Sequence, residues 1–477
     1  VTGRAASITL AALLACGLAG CAVGPDYKRP TPPADSTGPL PAVDPRVATR
    51  AAVPDDWWRL YRDPALDALL TEAFARNETL AEAEANVKAA RAVLEAARVA
   101  QYPSTELEAS GVYGRDPTTS EIVELDGRKP SSDWVFAALL DSSYELDLFG
   151  RVRRSIEARN ADAEAVAAAR DAVKVAVAAG TARAYAEICA VGEEIDVARR
   201  SLALVSHQAE ITRARFDAGA GSQLDTSRAD TLVAQTAATI PPLQGRRRVA
   251  WFQLAALLGR APQDAPPAVL GCIVPPRLDA PLPVGDGAAL LRRRPDVREA
   301  ERELAADTAR IGVAIADLYP RISLTGFYGG VSDKIDLLDT ENALAWGVGP
   351  SISWTFPNIA GPLARIHQTK AGAQAALAHF DATILDALKE TAQALSVYTA
   401  DLDRHADLVR FQTDAQRTYD LTRAQFVSGS VSHFDLLATE QTLLTAQAQL
   451  AASDEALVQD QIAVFKALGG GWQQPTR

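Results

Sequence analysis

The chain has 477 residues, 48% of them hydrophobic, with 27 prolines, 30 glycines, five histidines, four cysteines, no methionine and a formal net charge of −12. That apolar content supports a large core and excludes global disorder, and the acidic balance excludes the basic face of a nucleic-acid binder. With no HExxH or Cys/His cluster a zinc site is excluded, and no apolar run reaches the ~20 residues of a spanning helix. A prior of ~150 residues per domain gives about three domains.

Residues 1–20 read as an export signal. Arg4 and the amino terminus supply positive charge, Ile8 to Leu18 is apolar, and Leu18-Ala19-Gly20-Cys21 follows. Val1 reads as a translated GUG start. A small residue before Cys, preceded by Leu-Ala, resembles a bacterial lipobox, which implies cleavage before Cys21 and a lipid on its sulfur. Ala22, rather than Asp, follows that Cys; by the lipoprotein sorting rule this implies export to the outer membrane. A lipidated leader is expected over 21–64.

Proline is absent from Ser131 to Ile240 and from Leu363 to Gln474, although it is frequent between Pro25 and Pro130. Because proline costs ~3 kcal/mol inside a helix, two such runs imply long helices. The first repeat is expected over 65–270. It starts with a short helix, Ala65–Ala100, and a β-hairpin over 105–148. A long Ala-rich helix, Arg151–Ala214, follows, and at ~1.5 Å per residue it is ~95 Å long. The turn Phe216-Asp-Ala-Gly219 leads into a returning arm, Leu224–Leu258, which Pro241-Pro242 is expected to break. A linker, or equatorial segment, spans 271–294.

The second repeat is expected over 295–470, with a short helix, Pro295–Leu318, and a hairpin over 321–356. A long helix, Leu363–Gln425, a turn, Phe426-Val-Ser-Gly429, and an arm, Phe434–Leu468, complete it. A tail covers 471–477. Matching pairs such as Tyr102-Pro103 with Tyr319-Pro320, Trp134 with Trp346 and Asp225 with Asp435 make the chain an internal duplication rather than three domains.

In Trp346-Gly-Val348-Gly-Pro350-Ser-Ile352-Ser-Trp354-Thr-Phe356, apolar residues alternate with Gly, Ser or Thr. This is the period of a strand with one apolar and one small polar face. Trp134 to Leu148 alternates similarly. Strands of about 10 to 14 residues suit an outer-membrane barrel, where ~9–11 tilted residues span. Four strands cannot close a barrel, and open edges are not tolerated in lipid, so the chain must oligomerise. A trimer would supply twelve strands. The Ala-rich helix faces read as partners in a coiled-coil-like assembly.

Several segments together resemble the lipoprotein branch of the outer-membrane efflux (TolC-like) family. They are Cys21-Ala-Val-Gly-Pro-Asp-Tyr-Lys-Arg-Pro30, Trp57-Trp58, Leu254-Ala-Ala-Leu-Leu-Gly-Arg260, Leu291-Arg-Arg-Arg-Pro-Asp-Val-Arg-Glu-Ala-Glu301, Ile311-Gly-Val-Ala, Tyr319-Pro-Arg-Ile-Ser-Leu-Thr-Gly326 and Lys466-Ala-Leu-Gly-Gly-Gly-Trp472. The resemblance implies a mainly α protein with a small transmembrane β part. It would form a homotrimer with a 12-stranded β-barrel in the outer membrane and a long α-helical barrel in the periplasm. It also implies a periplasmic adaptor, an inner-membrane resistance-nodulation-division pump, and passive export of drugs or other small molecules. Each short helix would stack end to end with a returning arm.

On the same resemblance, the glycine turns at Gly219 and Gly429 form the periplasmic tip. Asp225 and Asp435 fall where the family places acidic rings at its gate. Helix capping after the turn explains the same residues, and both readings stay open. Phe426, Val431 and Ala438 depart from the best-known gate pattern, so an apolar closure by Phe216, Phe426 and Phe434 is expected. His433 is expected to be exposed and to bind no metal, and Cys189 and Cys272 to be buried thiols. The missing Met argues against soft-metal export. No cofactor is expected beyond the lipid on Cys21, and no P-loop, nucleophile-elbow or metal motif marks an enzyme. Two other functions compete: a duct for type I protein secretion, and a structural periplasmic coiled-coil lipoprotein without a pore.

Overall fold

The computed structural model describes residues 22–33, 36–38, 40, 44–115 and 132–472. Cys21, the signal and the tail beyond 472 lie outside the described residues. The elements run β1 (Ala48–Thr49), α1 (Pro64–Arg76), α2 (Glu78–Val99), β2 (Ser104–Gly114), β3 (Asp133–Leu146), α3 (Arg151–Asp217), α4 (Gln223–Leu257), β4 (Leu282–Pro283), α5 (Gly287–Arg293), α6 (Pro295–Ala316), β5 (Arg321–Ser332), β6 (Leu344–Ser353), α7 (Ala360–Val427) and α8 (His433–Ala467). The two proline-free runs thus hold continuous helices of 67 and 68 residues.

The described chain divides into two compact units, and each draws on both repeats. One is built from residues 22–30, 87–115, 132–166 and 300–380 and contains a four-stranded antiparallel sheet in the order β2-β3-β5-β6. The leader is fastened within this unit. Val23 N donates to Phe149 O at 3.1 Å, Arg154 pairs with Asp26 at 2.6 Å, and Tyr27 Oη donates to Glu301 Oε1 at 3.0 Å.

The other unit comprises residues 31–86, 167–299 and 381–472, as far as they are described. Its core is a contiguous apolar cluster in which Trp57 stacks on Phe465, with ring centroids 4.8 Å apart. Leu66, Leu70, Ile188, Leu254 and Leu258 surround them and are fully buried. The two-residue strands β1 and β4 pair in parallel at its margin.

Two expectations from proline and helix period are corrected here. The short helix expected over Ala65–Ala100 is two helices, α1 and α2, separated at Asn77. Asp63 caps α1 by accepting from Ala65 N and Leu66 N, with Pro64 in the first position. Asn77 then ends α1 and caps α2: its Oδ1 accepts from Leu80 N at 2.9 Å. Conversely, Pro241-Pro242 does not break the returning arm, since α4 runs through both. The prolines lie on an exposed stretch, where water can satisfy the carbonyls left without an N–H partner.

The end-to-end stacking of short helices on returning arms has a residue-level basis. Asn77 Nδ2 donates to Leu257 O, the last carbonyl of α4, at 3.0 Å. In the other copy Arg294, just before α6, donates from Nη1 to Ala467 O, the last carbonyl of α8, at 2.8 Å. Each side chain satisfies a carbonyl that a helix end leaves unpaired; Asn77 also caps the next helix, whereas Arg294 pairs with Asp296 in the first turn of α6. Asn77 did not stand out in the sequence, because a single Asn carries no pattern, and Arg294 entered only as one residue of the Leu291–Glu301 segment.

Candidate membrane sheet and helical tip

The strands are 11, 14, 12 and 10 residues long, sufficient to cross a bilayer at a tilt. Their register aligns the alternation of all four. Leu107, Leu140, Tyr328 and Trp346 stand side by side on one face. One residue along, Glu106, Asp141, Phe327 and Gly347 stand on the opposite face. The first face also carries Phe136, Leu324, Val348 and Ile352; Trp346 is 67% and Val348 72% exposed. The second carries Glu108, Ser143, Thr325, Gly349 and Ser351, small or charged groups suited to a wet lumen. The last strand is shorter than the alternation, since β6 ends at Ser353 before Trp354 and Phe356.

β2 and β6 are the open edges of this sheet. Every internal pairing is antiparallel, so β2 and β5 run one way and β3 and β6 the other. In a ring of copies the β6 edge of one would therefore face the β2 edge of the next in antiparallel sense, without a change of pattern. No helix among the described residues is long and apolar enough to cross a membrane.

At the tip both long helices end in a Schellman turn. Gly219 and Gly429 adopt φ of 77° and 78°, the left-handed conformation that closes the helix. Ala220 N bonds Arg215 O at 2.8 Å, and Ser430 N bonds Gln425 O at 2.9 Å. The returning arms then start with matching capping boxes. Ser222 Oγ accepts from Asp225 N, and Ser432 Oγ from Asp435 N, each at 3.2 Å. Asp225 Oδ2 accepts from Ser222 N at 3.2 Å and Oγ at 2.7 Å; Asp435 Oδ2 accepts from Ser432 N at 3.0 Å and Oγ at 2.5 Å. The caps are thus the serines, and the aspartates are their third-position partners. These hydrogen bonds hold both carboxyls below the usual aspartate range. Asp435 is exposed and Asp225 half-buried.

The three phenylalanines do not pack together in one protomer. Phe426 packs on a cluster containing Leu204, Ala415, Tyr419, Leu436 and Leu443, whereas Phe216 is 41% and Phe434 57% exposed. Two phenylalanines carry a guanidinium over the ring, Arg215 at 4.6 Å from Phe426 and Arg228 at 5.1 Å from Phe434.

His433 is half-buried rather than exposed, because α3 and the start of α8 meet there. Its Nε2 lies 2.8 Å from Thr212 Oγ1. Thr212 gives its hydroxyl proton to Gln208 O, which makes His433 the donor in that contact. Burial lowers its pKa; Arg215 and Arg228 push the same way and Asp225 opposes them. Among the described residues no group of His, Cys, Asp or Glu is arranged to hold a metal ion.

Two features escaped the sequence reading. Glu440, two turns into α8, is fully buried, and both carboxylate oxygens lack a hydrogen-bond partner. Burial pushes its pKa up to about 7, with Arg423 opposing. Cys189 and Cys272 are not thiols: they form a disulfide with Cα atoms 4.7 Å apart. Nothing in their spacing of 83 residues signals that approach.

The comparisons with known proteins agree with this geometry. The family model "Outer membrane efflux protein" matches residues 69–260 and 288–470. The toluene efflux pump outer membrane protein TtgC of Pseudomonas putida is 30% identical, with 98% of this chain and 96% of that protein covered. Nodulation protein T of Rhizobium leguminosarum bv. viciae is 28% identical, over 98% and 94%. Among solved structures, the outer-membrane channel OprN superposes with a TM-score of 0.86 at 34% identity, covering 95% of this chain and all of that one. The open state of the Neisseria gonorrhoeae MtrE outer membrane channel gives 0.81 at 25% identity, covering 95% and 99%.

Proposed function

The chain belongs to the outer membrane efflux protein family and is an outer-membrane exit duct of a tripartite efflux pump, and from that premise we propose that it works as a homotrimer joined to a periplasmic adaptor and an inner-membrane resistance-nodulation-division pump. The observation that carries the trimer is the four-stranded sheet, with an apolar face, a polar face and two open edges. A lone sheet of this kind would leave unpaired backbone groups in hydrocarbon at several kcal/mol each, so copies must pair β6 to β2. Three copies give twelve strands, with Glu106, Asp141 and Ser351 facing the lumen.

The duct does no chemistry on its cargo. The inner-membrane partner supplies the energy, and the channel supplies a wet path and a closure. We assign the closure to the tip turns at Gly219 and Gly429. The capped Asp225 and Asp435 stay ionised at neutral pH, and three copies of each around one axis would favour cations. Phe216 and Phe434, exposed in the single chain, supply apolar surface between neighbouring copies. Cys21 carries the lipid, and the fastening of residues 23–27 to Phe149, Arg154 and Glu301 would hold that anchor beside the sheet. The same sheet argues against a coiled-coil lipoprotein without a pore, and the relatives named for drug or solvent efflux favour small molecules over secreted proteins.

Single-channel recording of purified trimers in planar bilayers tests this reading. We expect discrete, cation-selective conductance in wild type and a changed selectivity in Asp435→Ala. Conductance and selectivity that Asp435→Ala leaves unaltered would remove the aspartate ring, and absence of any conductance would remove the duct. Labelled palmitate should enter wild type and not Cys21→Ala.

A further inference from the structure

The segment between α4 and β4, residues 258–281, crosses α3 and is held there by a device outside the membrane and tip machinery. Gly192 on α3 forms a notch: a Cβ there would come within 2.5 Å of Cys272 O. Arg247, on α4, reaches across the notch. Its Nε donates to Ile188 O at 3.1 Å, and its Nη2 donates to Leu270 O at 2.8 Å and Cys272 O at 2.6 Å. The Cys189–Cys272 bond lies against the same notch. Cys189 is fully buried, whereas Cys272 is only partly buried and is followed by the exposed Ile273 and Val274.

We propose that this channel is a substrate of a periplasmic dithiol oxidant, a protein carrying a reactive disulfide, and that the bond so formed latches the crossing segment onto α3. The unequal burial sets the order of events. The Cys272 thiolate attacks the oxidant's disulfide; a mixed disulfide forms, and one oxidant sulfur leaves and takes up a proton. The Cys189 thiolate then attacks Cys272 Sγ and displaces the second oxidant sulfur, which is protonated in turn. Two electrons and two protons pass from the two chain thiols to the oxidant, which departs as a dithiol. Because both outside steps fall on the Cys272 sulfur, the oxidant needs to reach only the partly accessible side of the crossing segment, and Cys189 closes the bond from within the unit.

The test uses the full chain, expressed in a host with its periplasmic dithiol oxidant present or deleted and recovered from the outer-membrane fraction. Denatured protein is alkylated before and after reduction, and the Cys189 and Cys272 peptides are read by mass spectrometry. With the oxidant present, both peptides should alkylate only after reduction; with it deleted, the free fraction should rise roughly tenfold or more. Limited proteolysis should cut within 258–281 roughly tenfold faster in Cys189→Ala/Cys272→Ala than in wild type. If that variant fails to accumulate, wild-type channel reduced in native membranes supplies the same comparison. Free thiols at both positions with the oxidant present, equal oxidation in both hosts, or an unchanged cleavage rate would overturn the proposal.

Discussion

The two helical tips carry corresponding residues and use them differently. Both turns hold Gly at a left-handed position, and both arms open with a Ser–Asp capping box of nearly the same dimensions. Five residues further on they diverge. In the first copy Asp230 is exposed and pairs with Arg213 at 2.9 Å. In the second, Glu440 occupies the corresponding place but points into an apolar cluster, and Arg423, the counterpart of Arg213, leaves it without a hydrogen bond. A helix end imposes the same backbone demand on both copies, so the caps stay alike. The flank of each arm meets different neighbours, and there the same charge type becomes a solvated pair in one copy and a buried acid in the other.

The largest expected effect comes from Glu440. Its folded pKa is raised to about 7 from a usual 4.5, so the packed tip binds this proton more tightly than the open chain does. The stability it contributes is full below pH 4.5 and is lost as pH rises to about 7, a swing of about 3 kcal/mol. Glu440→Leu should abolish that swing and slow hydrogen exchange in the first turns of α8 at pH 8, whereas Asp230→Leu should do neither. His433 works in the opposite sense. Burial, Arg215 and Arg228 lower its pKa, so its contribution to stability is lost as pH falls below its usual 6.5 and the half-buried ring takes a charge on Nδ1, while Nε2 keeps its proton toward Thr212.

Next come the junction residues. Arg294 is 9% exposed and bonds Ala467 O, Asp296 and Glu390. Arg294→Ala should lower stability by about 2 kcal/mol, less than for a fully buried ion pair because both acids keep contact with water. Asn77→Ala, which removes a neutral cap and one bond to Leu257 O, should cost about 1–2 kcal/mol. Thermal dissociation of the two variants, compared side by side, separates a charged joint from a neutral one in equivalent positions.

A smaller effect is expected at the caps. Ser222→Ala and Ser432→Ala should each cost about 1 kcal/mol, and equal values would confirm that the two tips share one backbone requirement. The smallest belongs to Arg213→Ala. An exposed pair of this kind is worth at most about 0.5 kcal/mol, and that should vanish in high salt. An equilibrium unfolding series in salt would detect it.

The sequence made the long helices and the sheet readable through periodicity and the placement of proline. The Trp346–Ile352 alternation is a consequence of one side facing lipid and the other water, and that constraint is written in every second residue. Asn77, Arg294 and Glu440 obey no period. Their roles depend on which chain end or helix flank lies opposite, which only the folded chain reveals. The same holds for Cys189 and Cys272, where a helix interior meets a crossing segment 83 residues later. The double proline misled for a related reason: its cost depends on whether solvent can reach the carbonyls it frees.

The open edges of the sheet also have a genetic consequence. With β2 and β6 unpaired within one chain, no copy can complete its own membrane wall, and a chain defective at either edge is built into rings with sound ones. In a cell expressing equal amounts of a normal and an edge-defective allele, random assembly of threes leaves roughly one ring in eight free of the defect. Edge substitutions in β2 or β6 should therefore behave as dominant alleles, and loss of the whole chain as a recessive one.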